Sequence, residues 1–166
     1  MRLASEIGSR HHSAKTENGR KRQSEEKRQD LKLETAVKYM KADASATKPA
    51  LLEREVKTFA IDSRGVKAGD VFFALSQPEY KHNGFNGDFE DSTKYVVSAF
   101  EKGAMAAVVR PDRFEEHKAE LEKFRHKLIF VKDAIFALQR LAHGVYLEWS
   151  KPVVAITGSA GKTTAK

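Results

Sequence analysis

Residues 91–131 read DSTKYVVSAFEKGAMAAVVRPDRFEEHKAELEKFRHKLIFV. The hydrophobic period changes repeatedly along this stretch, and those changes decide the fold. Asp91 or Ser92 can cap a helix running to about Lys102, with Tyr95, Val96, Ala99 and Phe100 on its inner face and Gly103 ending it. Met105 to Val109 is a short, continuously apolar run, which reads as a strand buried on both faces. Pro111 opens a second helix carrying Phe114, Leu121 and Phe124, and Leu128 to Val131 is a second apolar strand. Helices alternating with fully apolar strands predict an α/β fold with a mainly parallel sheet.

The same texture extends in both directions. Toward the C-terminus, Asp133 can cap a helix bearing Ile135, Leu138, Leu141, Ala142 and Val145, and Pro152 to Ile156 is a further apolar strand. Toward the N-terminus, Val71-Phe72-Phe73-Ala74-Leu75 is apolar throughout and predicts a buried strand. Before it, Val56, Phe59 and Ile61 predict a strand that stops at the turn Asp62-Ser63-Arg64-Gly65. Leu31, Leu33, Ala36, Val37 and Met40 mark one face of a short helix, and residues 43–53 read as a polar connection. Residues 76–91 read as a long irregular segment, and its aromatic residues argue for function rather than disorder.

Composition narrows the class. The 166 residues are 40% hydrophobic and 32% charged, contain no cysteine and carry a net charge of +7. Disulfides and thiolate metal sites are therefore excluded, and no apolar run approaches the ~20 residues that span a bilayer. A cytoplasmic protein is the expectation. Residues 1–30 hold eight Lys or Arg and five Asp or Glu, with almost nothing to bury. They predict a disordered basic tail. Nucleic acid is an unfavoured partner, because the tail interleaves Glu17, Glu25 and Glu26 with its cations and has no aromatic residue for stacking on bases.

The most specific motif is Thr157-Gly158-Ser159-Ala160-Gly161-Lys162-Thr163-Thr164, directly after the last apolar strand. A strand, a glycine loop and then Gly-Lys-Thr-Thr is the setting of a phosphate-binding loop. Backbone N–H groups and a helix N-terminus would face the anion. Lys162 would add a charge toward the β- and γ-phosphates, and the Thr163 hydroxyl would reach Mg²⁺. The general pattern places a glycine where this chain has Ile156. An ordinary strand-to-helix turn is the alternative.

Taken together, several segments resemble one family, the Mur ligases. They are Ala60-Ile61-Asp62-Ser63-Arg64, the run from Val66 to Leu75, Ala99 to Ala104, Ala107 to Val109, and Ala155 to Thr164. The family's loop, Thr-Gly-(Ser/Thr)-x-Gly-Lys-Thr-Thr, accommodates Ile156. The resemblance covers roughly residues 31–166. Beyond the disordered basic tail expected over 1–30 from its composition, it implies a UDP-substrate-binding domain over 31–150, and the first strand and phosphate loop of an ATPase domain over 151–166.

It also implies an ATP-dependent ligase that joins an amine to a peptide carboxylate through an acyl phosphate in peptidoglycan precursor synthesis. The cofactors would be ATP, at residues 157–164, and Mg²⁺, at Thr163. The substrate would be a UDP-N-acetylmuramoyl-peptide. Asp62, Ser63, Arg64, Ser76, Gln77, His82 and Asn83 are the residues carried across for its uridine-diphosphate end. Family members often show Asp-Gly-His-Asp-Phe where this chain has His82-Asn83-Gly84-Phe85. His82 reads as a polar loop residue rather than a catalyst. The closest branch adds D-Ala-D-Ala to the tripeptide precursor. The alternatives are the branch that adds the third amino acid and a non-catalytic binding module.

The family's remaining catalytic groups, a Mg²⁺-binding glutamate, a histidine and a modified lysine, belong to sequence this chain does not contain. Within these residues only Lys162 is given a role in stabilising transition-state charge. The chain alone is expected to be a monomer and inactive as a ligase.

Overall fold

The computed structural model describes residues 31–88, 90–149 and 151–153. The basic tail, the strand expected from Pro152 onward (beyond Val153) and the phosphate loop at 157–164 lie outside the described residues.

Among the described residues, four strands form one sheet: β1 (Phe59–Ala60), β2 (Val71–Phe73), β3 (Ala106–Val109) and β4 (Leu128–Phe130). They lie side by side in chain order and every pair is parallel. Phe72 pairs with Ala107, and Ala107 with Leu128. Successive side chains in a strand point to opposite faces, so this register sorts the core into two halves. Val71, Phe73, Ala106, Val108 and Ile129 fall on one face, and Phe72, Ala74, Ala107, Val109 and Leu128 on the other. Parallel strands covered on both sides are apolar throughout, which is why these runs carry no alternation.

Helices α1 (Leu33–Met40) and α7 (Ala134–Trp149) cover the first face through Leu33, Ala36, Met40, Ala134, Ala137 and Leu141. The crossovers cover the second. Between β2 and β3 the chain runs through α3 (Gln77–His82), a 3-10 turn at Ser92–Tyr95 and α4 (Val96–Glu101). Between β3 and β4 it runs through α5 (Pro111–Glu116), α6 (Lys118–Leu121) and a 3-10 segment at Glu122–Lys127. Val96, Ala99, Phe100, Phe114 and Leu121 all pack on that face. Placing both helical crossovers on one side is what a common crossover handedness requires.

The mainly parallel α/β expectation matches the structure, and several local expectations need correction. The strand read over Val56–Ile61 shrinks to Phe59–Ala60, because the Val56 N–H is taken by the carbonyl of Leu31 at 2.9 Å. The polar connection at 43–53 contains α2 (Pro49–Leu52), which buries Leu51. Asp43 in the same connection closes the β4 edge by exchanging hydrogen bonds of 2.8 and 2.7 Å with Phe130. The irregular segment at 76–91 contains α3.

Tyr95, expected inside, is exposed and donates its hydroxyl to Glu90 at 2.5 Å. Val145 is exposed as well, with Tyr146, Leu147 and Trp149. The 16 residues of α7 span about 24 Å, whereas strands of two to four residues run at most about 13 Å. The second half of α7 therefore outruns the sheet. What it meets there is Tyr39 of α1, whose ring lies against Gly144.

Candidate functional site

In a parallel sheet the loops that leave the C-terminal ends of the strands converge on one edge, and ligands bind there. Here that edge carries the turn after β1, the α3 segment after β2, Arg110 and Asp112 after β3, and Asp133 after β4.

The turn after β1 is built by its own side chains. Asp62 Oδ1 accepts the Arg64 backbone N–H at 2.9 Å, which folds the chain back over two residues. The Arg64 guanidinium then grips the same carboxylate, with Nε at 3.0 and 3.1 Å and Nη2 at 2.8 Å. The Arg64 side chain, the backbone N–H and Lys102 hold the Asp62 carboxyl down to about 2. Lys102, at the end of α4, donates to the Ser63 carbonyl at 2.8 Å. The turn is thus a fixed, exposed cluster of cations around one carboxylate.

The segment after β2 is anchored inside. Ser76 is fully buried, and its hydroxyl and backbone N–H both go to Glu79 Oε2, at 3.1 and 2.9 Å. Gln77 reaches forward to the Gly87 carbonyl at 2.8 Å and to Asp88 at 3.0 Å. His82 is exposed on the last turn of α3. Asn83 donates to Asp133 Oδ2 at 2.9 Å, tying the end of α3 to the cap of α7. Asp133 accepts the Phe136 N–H at 2.7 Å, as the expected cap of that helix.

Between the two segments lies an open concavity of about 260 Å³. Ile61, Leu75 and Tyr80 give it apolar wall, while Asn86, Gly87, Asp88 and Ser92 give it a polar rim. Tyr80 is stacked on Phe85 with ring centres 4.9 Å apart. The groove has the mixed apolar and polar lining of a small-ligand site, at a volume just under the ~300 Å³ where such sites begin. It begins one residue before the Asp62-Ser63-Arg64 turn. An apolar planar group could lie against Ile61 and Tyr80, with an anionic extension toward the Arg64 and Lys102 charges.

Of the seven carried-over residues, Asp62, Ser63 and Arg64 form one cluster beside the concavity. Gln77 and Asn83 brace its far wall, Ser76 is buried behind it, and His82 faces solvent. Reasoning from sequence missed Glu79, Lys102 and Asp133 as parts of this arrangement. For Glu79 the signal existed: Ser76-x-x-Glu79 is the spacing of a capping box. Among the described residues, no group of three or more His, Asp or Glu is poised to hold a metal ion. The residues expected to hold ATP and Mg²⁺, at 157–164, lie outside the described residues.

No protein-family model matches the chain. Individual relatives do. The UDP-N-acetylmuramoyl-L-alanyl-D-glutamate–2,6-diaminopimelate ligase of Geobacter metallireducens is 35% identical over 116 residues, 68% of this chain and 19% of that protein. The UDP-N-acetylmuramoyl-tripeptide–D-alanyl-D-alanine ligase of Synechocystis sp. is 30% identical over 112 residues, 67% of this chain and 21% of that protein. Among solved structures, a UDP-N-acetylmuramoylalanyl-D-glutamyl-2,6-diaminopimelate–D-alanyl-D-alanyl ligase from Acinetobacter baumannii superposes with a TM-score of 0.58 at 23% identity. That match covers 82% of this chain and 26% of the other, and at such identity it establishes the fold. The chain spans about a fifth of the length of the curated relatives it matches.

Proposed function

Because this chain belongs to the Mur ligase family, we propose that its described body holds the uridine-diphosphate end of a peptidoglycan precursor for an ATP-dependent ligase. The observation that carries the reading is the concavity at the C-terminal edge of the sheet, bordered by the Asp62-Ser63-Arg64 turn. The uracil ring would lie against Ile61 and Tyr80. The diphosphate would draw on Arg64 and Lys102, whose charges are already held in place.

The reaction joins two reluctant partners. A carboxylate oxygen of the bound peptide attacks the γ-phosphorus of ATP, the bond to ADP breaks, and an acyl phosphate forms. An amine then attacks that carbonyl and expels phosphate, leaving an amide. Both reactants of the first step are anions, so fixed positive charge must offset their repulsion. In this reading Lys162 and the loop at 157–164 supply it, with Mg²⁺ at Thr163.

The favoured amine is D-Ala-D-Ala and the favoured precursor the UDP-N-acetylmuramoyl-tripeptide, as in the Synechocystis relative. A second reading, addition of the third amino acid to the dipeptide precursor, is supported by the 35% identity to the Geobacter relative. Calorimetric titration of this chain with UDP, the dipeptide precursor and the tripeptide precursor tests the uridine-diphosphate site that both readings require. All three are expected to compete for one site, because they share that end. A folded sample that binds none of them overturns the assignment.

A further inference from the structure

Glu79 is a buried carboxylate whose place no binding role explains. Its residue is 1% exposed, yet its two oxygens join elements that leave different strands. Oε2 takes the N–H and hydroxyl of Ser76, just after β2, at 2.9 and 3.1 Å. Oε1 takes the N–H of Ala134, the first residue of α7 after β4, at 2.5 Å. The strap therefore crosses over the end of β3, where Arg110 contributes positive charge. Burial pushes the carboxyl up, and the donors from Ala134 and Ser76 and the Arg110 charge oppose that push.

The end of α3 and the residues just after it build on this joint. Asn83 returns to the Glu79 carbonyl at 2.9 Å through its side chain and at 3.0 Å through its backbone N–H. Phe85 donates its N–H to the Tyr80 carbonyl at 3.1 Å and stacks on that ring. Gln77 then holds Gly87 and Asp88. Residues 86–88 line the concavity but lie outside regular secondary structure, so their position depends on α3.

We propose that Glu79 is a positioning residue: by bolting α3 to the start of α7, its buried carboxylate fixes the 86–88 wall of the concavity and so sets the affinity for the uridine-diphosphate group. The ligand class rests on the function proposed above, while the positioning role rests on the geometry alone.

The test uses this chain, UDP as the probe, and three variants. In Glu79→Gln the amide replaces one acceptor oxygen with a donor, leaving a buried N–H facing an N–H. A lost buried hydrogen bond of this kind corresponds to roughly a tenfold change in an equilibrium. Amide exchange at Asn83, Gly84 and Phe85 is expected to accelerate about tenfold relative to β3, and UDP to bind about tenfold more weakly. Ser76→Ala removes a buried hydroxyl that cannot touch a ligand. It should move both readouts the same way by about threefold, and it serves if the glutamine variant does not fold.

Thr47→Val is the control. It removes the 2.7 Å bond from Thr47 Oγ1 to the Leu128 carbonyl, at the opposite edge of the sheet, and should move neither readout. Unchanged exchange at residues 83–85 in both Glu79→Gln and Ser76→Ala overturns the proposal. So does equal loss of UDP affinity in the control. If the unaltered chain binds no UDP, the ligand assignment fails, and accelerated exchange confined to residues 83–85 still establishes the positioning role.

Discussion

Gly144→Ala should destabilise this protein, although glycine in a helix interior is ordinarily worth replacing. In an unobstructed helix the substitution gains about 1 kcal/mol from helix propensity. At this position an alanine Cβ would stand 2.3 Å from Cγ of Tyr39 and 2.6 Å from both Cδ atoms. Those are the root atoms of the ring, not the far end of a flexible chain, so the ring must move bodily. Its hydroxyl is held by Glu148, one turn along α7 from Gly144, and that bond with burial pushes the phenol up to about 12. The clash therefore falls on the α1–α7 packing that covers one face of the sheet.

Overpacking of this kind costs about 1–3 kcal/mol, which outweighs the propensity gain at its upper end and leaves a net loss of about 1–2 kcal/mol. For a domain of this size that lowers the melting temperature by roughly 4–8 °C. Thermal melts followed by circular dichroism measure it. The decisive version is a double-mutant cycle. In a Tyr39→Ala background the obstruction is gone, and the same Gly144→Ala change should stabilise by about 1 kcal/mol. An equal rise in melting temperature in both backgrounds would refute the argument.

Two further outcomes follow from the loops at the sheet edges. The Asp62 carboxyl should titrate with a midpoint of about 2 rather than its ordinary 3.8. The folded value lies below the unfolded one, so the pair contributes stability that is present above pH 3.8 and lost as pH falls through about 2. Carboxyl carbon NMR reads the midpoint directly. Arg64→Ala should return it part of the way, since the backbone N–H of residue 64 remains, and a midpoint near 3.8 in the unaltered chain would contradict the assignment. Gly103→Ala should cost about 2 kcal/mol by denaturant unfolding. Gly103 has φ of +101°, and a Cβ there would sit 3.0 Å from the Ala68 Cα, so a neutral result would mean the Ala68 turn yields freely.

Much of the fold was legible because burial on both faces of a sheet leaves short, continuously apolar runs, too short for buried helices and bounded by turn residues. The runs Val71–Leu75, Met105–Val109 and Leu128–Val131 are apolar without alternation, and each contains the strand that forms. Where local and tertiary demands differ, reading by periodicity failed. The helix expected from Pro111 breaks at His117 into two short helices and a 3-10 segment, because the chain must turn back to start β4. Val145 has the spacing of an inner residue but sits on a helix longer than the sheet beneath it.

The same division holds at the site. The Asp62-Ser63-Arg64 turn was readable because its bonds span only two residues, and so the sequence carries the whole interaction. Glu79 could be seen to cap α3, since Ser76 stands three residues before it. Its second partner, Ala134, is 55 residues away, and nothing local marks that pairing. By itself, then, the amino-acid sequence determined the α/β class, the family and the residues of the cation turn, all of which depend on short-range pattern. The tertiary structure alone decided that a buried carboxylate joins the segments after β2 and β4, because parallel strands bring together loops that lie far apart in the chain.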